Sequence, residues 1–137
     1  MKSIFAFFLL FSLTLKAQTS FQGGIYNNTT WTLANSPYHI TGNVVVFPGK
    51  TLTIEPGVLV IVDADSTFNT GNYITLEVRG NLVAQGTVNA PIIFTSTDAS
   101  TNQNWMGIYV KKSQGATIDM NRFILTNAFY GIYADDA

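Results

Sequence analysis

Two Pro-Gly pairs, Pro48-Gly49 and Pro56-Gly57, constrain the fold of this chain more than any other feature. They interrupt the aliphatic stretch VVVFPGKTLTIEPGVLVIVD, residues 44–63. Proline fixes the first central φ of a type II turn, and glycine accepts the positive second φ. Two-residue hairpins prefer the primed turns instead. The pairs therefore predict corners after which the chain continues to wind, rather than antiparallel hairpins.

The sequence after Gln18 consists of short runs rich in Val, Ile, Thr and aromatic residues, separated by Gly, Pro and Asn. These runs predict strands, the first at 44–47, 51–54 and 58–62, and no long helix. A winding chain should also repeat, and two matches lie 24 residues apart: TLTI at 51 with TLEV at 75, and GIY at 107 with GIY at 131. This period divides residues 40–134 into about four coils, with residues 95–104 as an inserted loop.

Alternation within the strands predicts which side chains enter the core. Thr53, Glu77 and Arg79 are predicted to point outward, and the continuous apolar runs at 44–46 and 58–62 are expected to be covered on both sides. The prediction is an all-β, right-handed parallel β-helix, whose hand follows from the general preference of parallel crossovers. The residues predicted to point inward are Leu52, Ile54, Leu76, Val78 and Leu82.

Residues 1–18 have the pattern of a secretory signal peptide. Lys2 precedes an apolar run from Ile4 to Leu13, and Lys16-Ala17-Gln18 follows. The run is too short to span a bilayer, so no membrane span is predicted in the mature chain. Removing both lysines leaves five basic residues against eight acidic ones. A negative charge implies no nucleic-acid partner, and we expect a secreted protein or one on the outer cell surface.

The sequence resembles secreted bacterial right-handed parallel β-helix proteins of the pectate-lyase-like superfold. The resemblance rests on segments such as GNVVVFPGKTLTIEPGVLV at 42–60, LEVRGNLVAQGT at 76–87 and WMGIYV at 105–110. We expect an N-terminal cap at 19–39, with Trp31 and Tyr38 covering the first coil, and a β-helix at 40–137. Because no C-terminal cap is visible, we expect the chain to be the N-terminal part of a longer protein that self-associates through its uncapped end.

The resemblance also includes polysaccharide lyases, in which Asp or Glu side chains on one outer sheet bind calcium and a nearby Lys or Arg acts as base. Glu77 with Arg79 and the pair Lys111-Lys112 are the corresponding residue types here. Because no further residues of such a site accompany them, Glu77 and Arg79 are interpreted as a surface ion pair. Lys111 and Lys112 are interpreted as lysines that end a strand. Asp135-Asp136 resemble the adjacent aspartates of polygalacturonases, but the motif's other partners are absent, so they are interpreted as a solvated tail.

The segment DADSTFNTGN, residues 63–72, is the best metal candidate, because hard cations such as calcium bind oxygen ligands. Phe68 and Ile74 stand where an EF-hand loop needs Gly and Glu, so that motif fails and an ordinary polar turn is the alternative. No cofactor is predicted; calcium stays a hypothesis centred on Asp63 and Asp65. The oxygen-bearing side chains of this segment are those of Asp63, Asp65, Ser66, Thr67 and Asn69.

Aromatic residues are candidates for sugar binding rather than for metal binding. If exposed, Trp105, Tyr109 and Tyr133 could stack on sugar rings, and burial in the core is the alternative. His39 lacks a nucleophile motif and is interpreted as structural. Thr-x-Thr occurs at 51–53 and at 95–97, but the pair is not repeated in successive coils as an ice-binding ladder needs.

Two functional hypotheses remain from the sequence. The first is a non-catalytic secreted or cell-surface module with a structural, adhesive or glycan-binding role, whose partners are polysaccharides or cell-surface components. The second is the N-terminal part of a carbohydrate-active enzyme, either a polysaccharide lyase or a glycoside hydrolase, whose catalytic residues lie beyond residue 137. No catalytic residue is assigned within this chain, so the first hypothesis is favoured, and fold analogy serves only as a prior.

Overall fold

The computed structural model describes residues 16–64, 72–100 and 103–136. Strands dominate these ranges, with 3₁₀ turns at Leu33–Asn35 and Lys112–Gln114. The strands are β1 (Thr19–Ile25), β2 (Thr29–Trp31), β3 (Tyr38–Val46), β4 (Thr51–Ile54), β5 (Leu59–Val62), β6 (Thr75–Val78), β7 (Asn81–Gln85), β8 (Ile92–Ser96), β9 (Gly107–Val110), β10 (Thr117–Asn121), β11 (Phe123–Leu125) and β12 (Ile132–Ala134).

The strands form two sheets in which every pairing is parallel. The larger sheet has the order β11-β8-β5-β3-β6-β9-β12, and β1 also pairs with β3. The first half of β3 pairs with β5 and the second half with β6. The smaller sheet has the order β10-β7-β4-β2. Because the chain returns repeatedly to both sheets and pairs its strands in parallel each time, the predicted all-β, parallel, winding architecture is confirmed.

The two Pro-Gly pairs form corners, as predicted. The Lys50 amide donates to the Phe47 carbonyl at 3.0 Å, and the Val58 amide donates to the Glu55 carbonyl at 3.3 Å. The second central residues have φ of 72° at Gly49 and 79° at Gly57, which fits type II turns. Beyond each corner the strand pairs with the strand of another turn, so neither pair closes a hairpin.

The predicted period of 24 residues is only half right. Ile108 and Ile132 are register partners, so the GIY repeat marks strands that stack. Residues 51–54 and 75–78, in contrast, belong to different sheets: Thr51 pairs with Asn81, and Leu76 pairs with Val44 and Ile108. The connections between strands differ in length, so equal spacing along the sequence does not imply stacking.

The core lies between the sheets and is aliphatic and aromatic. All five residues predicted to point inward are buried, and Thr53, Glu77 and Arg79 are not. The runs at 44–46 and 58–62 alternate between buried and half-buried residues instead of being covered on both sides. The largest fully buried side chains include Trp31, Trp105, Phe94, Ile40, Leu52, Leu76, Leu82, Ile92 and Ile108.

The segment predicted to cap the β-helix contributes both strand and core. β1 lies along the whole of β3 with one irregularity between Phe21 and Gly23. Trp31 and Tyr38 are buried and stacked, with ring centroids 4.8 Å apart. Whether this segment acts as a cap stays a prediction. The signal-peptide prediction falls almost wholly on residues 1–15, outside the described residues, and no helix in the described ranges is long and apolar enough to cross a membrane.

Candidate functional site

Strands β6, β9 and β12 bring three predicted candidates into one column on the outer surface. Glu77 is the register partner of Tyr109, and Tyr109 is the register partner of Tyr133. Their neighbours Leu76 and Val78 point into the core, and a strand places successive side chains on opposite faces. The column is therefore fixed by the same alternation that fills the core.

A second column follows directly after these strands and carries charge. The amides of Arg79, Lys111 and Asp135 each donate to a carbonyl of the strand below, with distances of 2.9, 2.8 and 3.2 Å. Arg79 Nε donates to Glu77 Oε1 at 2.6 Å, which confirms the predicted ion pair. Lys111 Nζ lies 3.9 Å from Asp135 Oδ2. The four charges pair within the surface and leave it without net charge.

Aromatic rings extend the first column into an aromatic cluster, formed by Tyr73, Tyr109, Phe129, Tyr130 and Tyr133. The rings of Tyr109 and Tyr133 are stacked with centroids 4.6 Å apart and planes within 5° of parallel. The ring centroid of Tyr130 lies 5.1 Å from that of Tyr133 and 4.7 Å from that of Phe129. The ring centroids of Phe129 and Tyr73 are 6.0 Å apart. Tyr130 is 61% exposed and Phe129 41% exposed, so the cluster presents ring surface to solvent.

Three ionisable groups of this surface, Lys111, Tyr133 and Asp135, have shifted pKa values. A hydrogen bond with the Tyr109 side chain raises the pKa of Lys111, whose Nζ lies 4.8 Å from the Tyr109 ring centroid. The hydrogen bond from the Ser113 hydroxyl lowers the pKa of Asp135. Burial raises the pKa of Tyr133. Lys111 therefore stays an ammonium, Asp135 a carboxylate and Tyr133 a neutral phenol at neutral pH.

These charge states suit binding better than proton transfer. A general base or acid works best with a pKa near the working pH. Lys111 and Asp135 are shifted away from neutrality, and the hydrogen bond to Glu77 raises the pKa of Arg79 as well. What the surface offers is aromatic area with hydrogen-bonding groups beside it.

The metal candidates do not assemble within the described residues. The Asp63 carboxylate contacts His39 Nε2, which supports the structural interpretation of His39. Asp65, Ser66, Thr67 and Asn69 lie outside the described residues. In the described ranges no group of three His, Cys, Asp or Glu side chains could hold a metal ion, and no pocket is found there.

The other candidates divide between the core and the surface. Trp105 is fully buried, and its Nε1 donates to the Thr126 carbonyl at 3.0 Å, so it lies outside the exposed surface. Lys112 and Asp136 are exposed. Asp135 is not the solvated tail that was predicted, because Ser113 donates to its carboxylate from both the backbone and the hydroxyl group.

Sequence reasoning missed Tyr73, Phe129 and Tyr130 as surface residues. Phe129 and Tyr130 precede the second GIY copy in the segment FYGIY, and an aromatic pair next to a repeated motif was a usable signal. Tyr73 had no such signal, since its approach to Phe129 depends on how the connection before β6 returns to the sheet.

Comparison with known proteins places the chain among β-helix domains. The profile of the family described as pectate-lyase like beta helix domain matches residues 23–122. Protein bark beetle of Drosophila melanogaster is 30% identical over 95 residues, which are 69% of this chain but only 3% of that protein's length. No solved structure matches the chain.

Proposed function

This chain belongs to the pectate-lyase-like β-helix domain family, and we propose that it is a non-catalytic module that binds glycans. The observation that carries the proposal is the aromatic cluster on the outer face of β9 and β12. Its exposed rings are those of Tyr130 and Phe129, and Lys111 Nζ lies 4.8 Å from the ring centroid of Tyr109 in the same cluster.

The chemistry of this surface fits a sugar. The C–H faces of a sugar ring are apolar and pack against aromatic rings, while its hydroxyls donate and accept hydrogen bonds around the rim. Lys111 and Asp135 supply a donor and an acceptor next to Tyr109 and Tyr133. The positive and negative charges cancel within each ion pair, so the surface favours a neutral glycan over an acidic one.

We further propose that the protein is secreted or displayed on the outer cell surface. The support is the sequence pattern of residues 1–18, a charged start followed by a short apolar run and a small residue. A glycan-binding role is consistent with that location, where polysaccharides and cell-surface components are the available partners.

We also propose that the chain winds as a right-handed β-helix of about four coils, with residues 19–39 as its N-terminal cap. Right-handed crossovers account for about 98% of parallel connections within one sheet. The stacked, buried pair Trp31 and Tyr38 supports the cap, because large apolar rings over the first turn would shield it from solvent.

Affinity electrophoresis of the full chain tests the binding proposal. The gels would contain xyloglucan, mixed-linkage β-glucan, galactomannan or, as the acidic comparison, polygalacturonate. We expect retardation by at least one neutral polysaccharide and weaker retardation by polygalacturonate. Tyr130→Ala should weaken the interaction about twofold to twelvefold, since a stacked aromatic ring contributes about 0.5–1.5 kcal/mol.

Val88→Ala is the matched control. Val88 is 73% exposed but lies between β7 and β8, away from the aromatic cluster. It should bind as the unchanged chain does, and both variants should keep the melting temperature. Retardation by none of the four polysaccharides would refute the proposal. Release of unsaturated uronides from polygalacturonate with calcium added would instead favour the alternative of a carbohydrate-active enzyme.

A further inference from the structure

The two outer columns continue beyond the aromatic cluster, across β3, to β1. Glu77 pairs in register with Val45, and Val45 pairs with Gly24. In the second column the Phe47 amide donates to the Ile25 carbonyl at 3.1 Å, the same bond that Arg79 and Lys111 make one and two strands later. One face therefore crosses β1, β3, β6, β9 and β12.

This face carries a second aromatic surface at its far end. Tyr26 and Phe47 have ring centroids 4.4 Å apart, and Tyr26 is 62% exposed. Arg79 Cζ lies 5.9 Å from the Phe47 ring centroid, so the ion pair with Glu77 adjoins this surface as well. We call Tyr26 and Phe47 the aromatic shelf.

The shelf depends on a glycine. A Cβ on Gly24 would lie 2.5–2.7 Å from three atoms of the Tyr26 ring. The ring therefore lies over Gly24, in the place where the first column would otherwise have a side chain. Tyr26 thus continues the column of Glu77, Tyr109 and Tyr133 at its β1 end.

The two aromatic surfaces are separated along the direction in which the strands stack. Neighbouring strands are about 4.8 Å apart, so β1 and β12, four spacings apart, place Tyr26 and Tyr133 about 19 Å from each other. Between them lie Val45, Glu77 and Arg79, with the two charges joined in an ion pair. The nearer members, Phe47 after β3 and Tyr109 on β9, are two spacings or about 10 Å apart. A ligand that covers both of the most exposed rings, Tyr26 and Tyr130, must therefore be extended.

We propose that this face binds an extended, neutral oligosaccharide or polysaccharide chain, lying across the strands from the aromatic shelf to the aromatic cluster. This inference rests on the proposed function and adds the shape of the ligand and a second contact region. The ends of the chain pack on rings, and its middle crosses the Glu77–Arg79 pair, whose polar atoms accept and donate hydrogen bonds.

The experiment uses oligosaccharides of two and six sugars, cut from whichever neutral polysaccharide binds, and isothermal titration of the full chain. We expect the six-sugar chain to bind about fivefold more tightly than the two-sugar chain, because a second stacking contact adds to the first. Tyr26→Ala should weaken binding of the six-sugar chain about fivefold and leave the two-sugar chain within about twofold. Tyr130→Ala should weaken both.

Two further variants separate ring contact from folding. Tyr26→Phe keeps the ring and should retain affinity for the six-sugar chain. Gly24→Ala keeps Tyr26 but displaces its ring, so it should reproduce the loss seen with Tyr26→Ala; circular dichroism and the melting temperature check that both variants are folded.

The outcomes distinguish this inference from the proposed function. Equal affinity for the two lengths, or a Tyr26→Ala variant that binds the six-sugar chain normally while Tyr130→Ala does not, overturns the extended mode and leaves glycan binding in place. If no polysaccharide binds the unchanged protein, both proposals are refuted.

Discussion

Replacing Gly80 by alanine tests how closely successive corners of this fold stack. Gly80 is buried between β6 and β7, directly against the corner that contains Pro48-Gly49. A Cβ added to it would lie 2.3 Å from the Phe47 carbonyl oxygen and 2.3 Å from the Lys50 carbonyl oxygen. Both are backbone atoms, so neither can rotate away as a side chain could.

The size of the effect follows from these distances. Real contacts of this kind begin near 3.0 Å, so the corners must separate by about 0.7 Å. The hydrogen bond from the Asn81 amide to the Lys50 carbonyl, now 2.8 Å, would stretch to the limit of a hydrogen bond. Overpacking costs about 1–3 kcal/mol and a lost hydrogen bond about 1 kcal/mol, so Gly80→Ala should lower the free energy of unfolding by about 2–4 kcal/mol.

Urea unfolding and thermal melting measure this loss. At this chain length about 3 kcal/mol corresponds to a fall of roughly 6–12 °C in melting temperature. Gly42→Ala is the matched control, because its Cβ would meet the end of the flexible Gln22 side chain, at 2.7 Å from Oε1. It should change stability by less than about 0.5 kcal/mol. Equal stability of the two variants would refute the close stacking of corners described above.

Two further predictions concern the core and the outer face. Leu52→Ala should lower the free energy of unfolding by about 2–5 kcal/mol, because Leu52 is fully buried. Thr53→Ala should change it by less than about 0.5 kcal/mol. Similar urea midpoints for the two variants would contradict the assigned faces. The hydrogen bond from Ser113 lowers the pKa of Asp135 in the folded state. The Asp135 carboxylate therefore stabilises the folded state at pH values above its ordinary pKa of 3.8. This stabilisation is lost as the pH falls through the lower pKa of the folded state. Ser113→Ala should therefore reduce stability at neutral pH but not at pH 2, and a loss of the same size at both values would show that Asp135 is not the cause.

The features that could be predicted from the sequence are those set by adjacent residues, namely the turns and the buried face of each strand. Pro-Gly pairs determine a local φ, and alternation places Leu52 inside and Thr53 outside whatever lies above them. The strand at 51–54 was predicted with its observed ends, while the strand predicted at 44–47 begins six residues earlier, at Tyr38, in the structure. Tyr38 and Ile40 are buried too, but the interval Thr41-Gly42-Asn43 lacks the apolar alternation that identifies a strand.

What the sequence could not predict is which strands stack. Thr51 pairs with Asn81 and Leu76 with Ile108, at separations of 30 and 32 residues, while Ile108 pairs with Ile132 at 24. These differences come from connections whose lengths are set by the loops, not by the sheet. The candidate site has the same limit: Glu77, Tyr109 and Asp135 could each be named, but their assembly on one face depends on register.

The unequal connections also suggest where this architecture can acquire new parts. The larger sheet has one half formed by β11, β8, β5 and the start of β3, and another formed by the end of β3, β6, β9 and β12. The connection from the first half to the second has three residues within β3 (41–43). It has twelve residues after β5 (63–74), ten after β8 (97–106) and six after β11 (126–131). The flanking strands keep their parallel register in every case. This corner therefore behaves as a natural insertion point, at which recognition loops or whole peptide epitopes could be grafted beside the aromatic cluster while the buried columns keep their stacking.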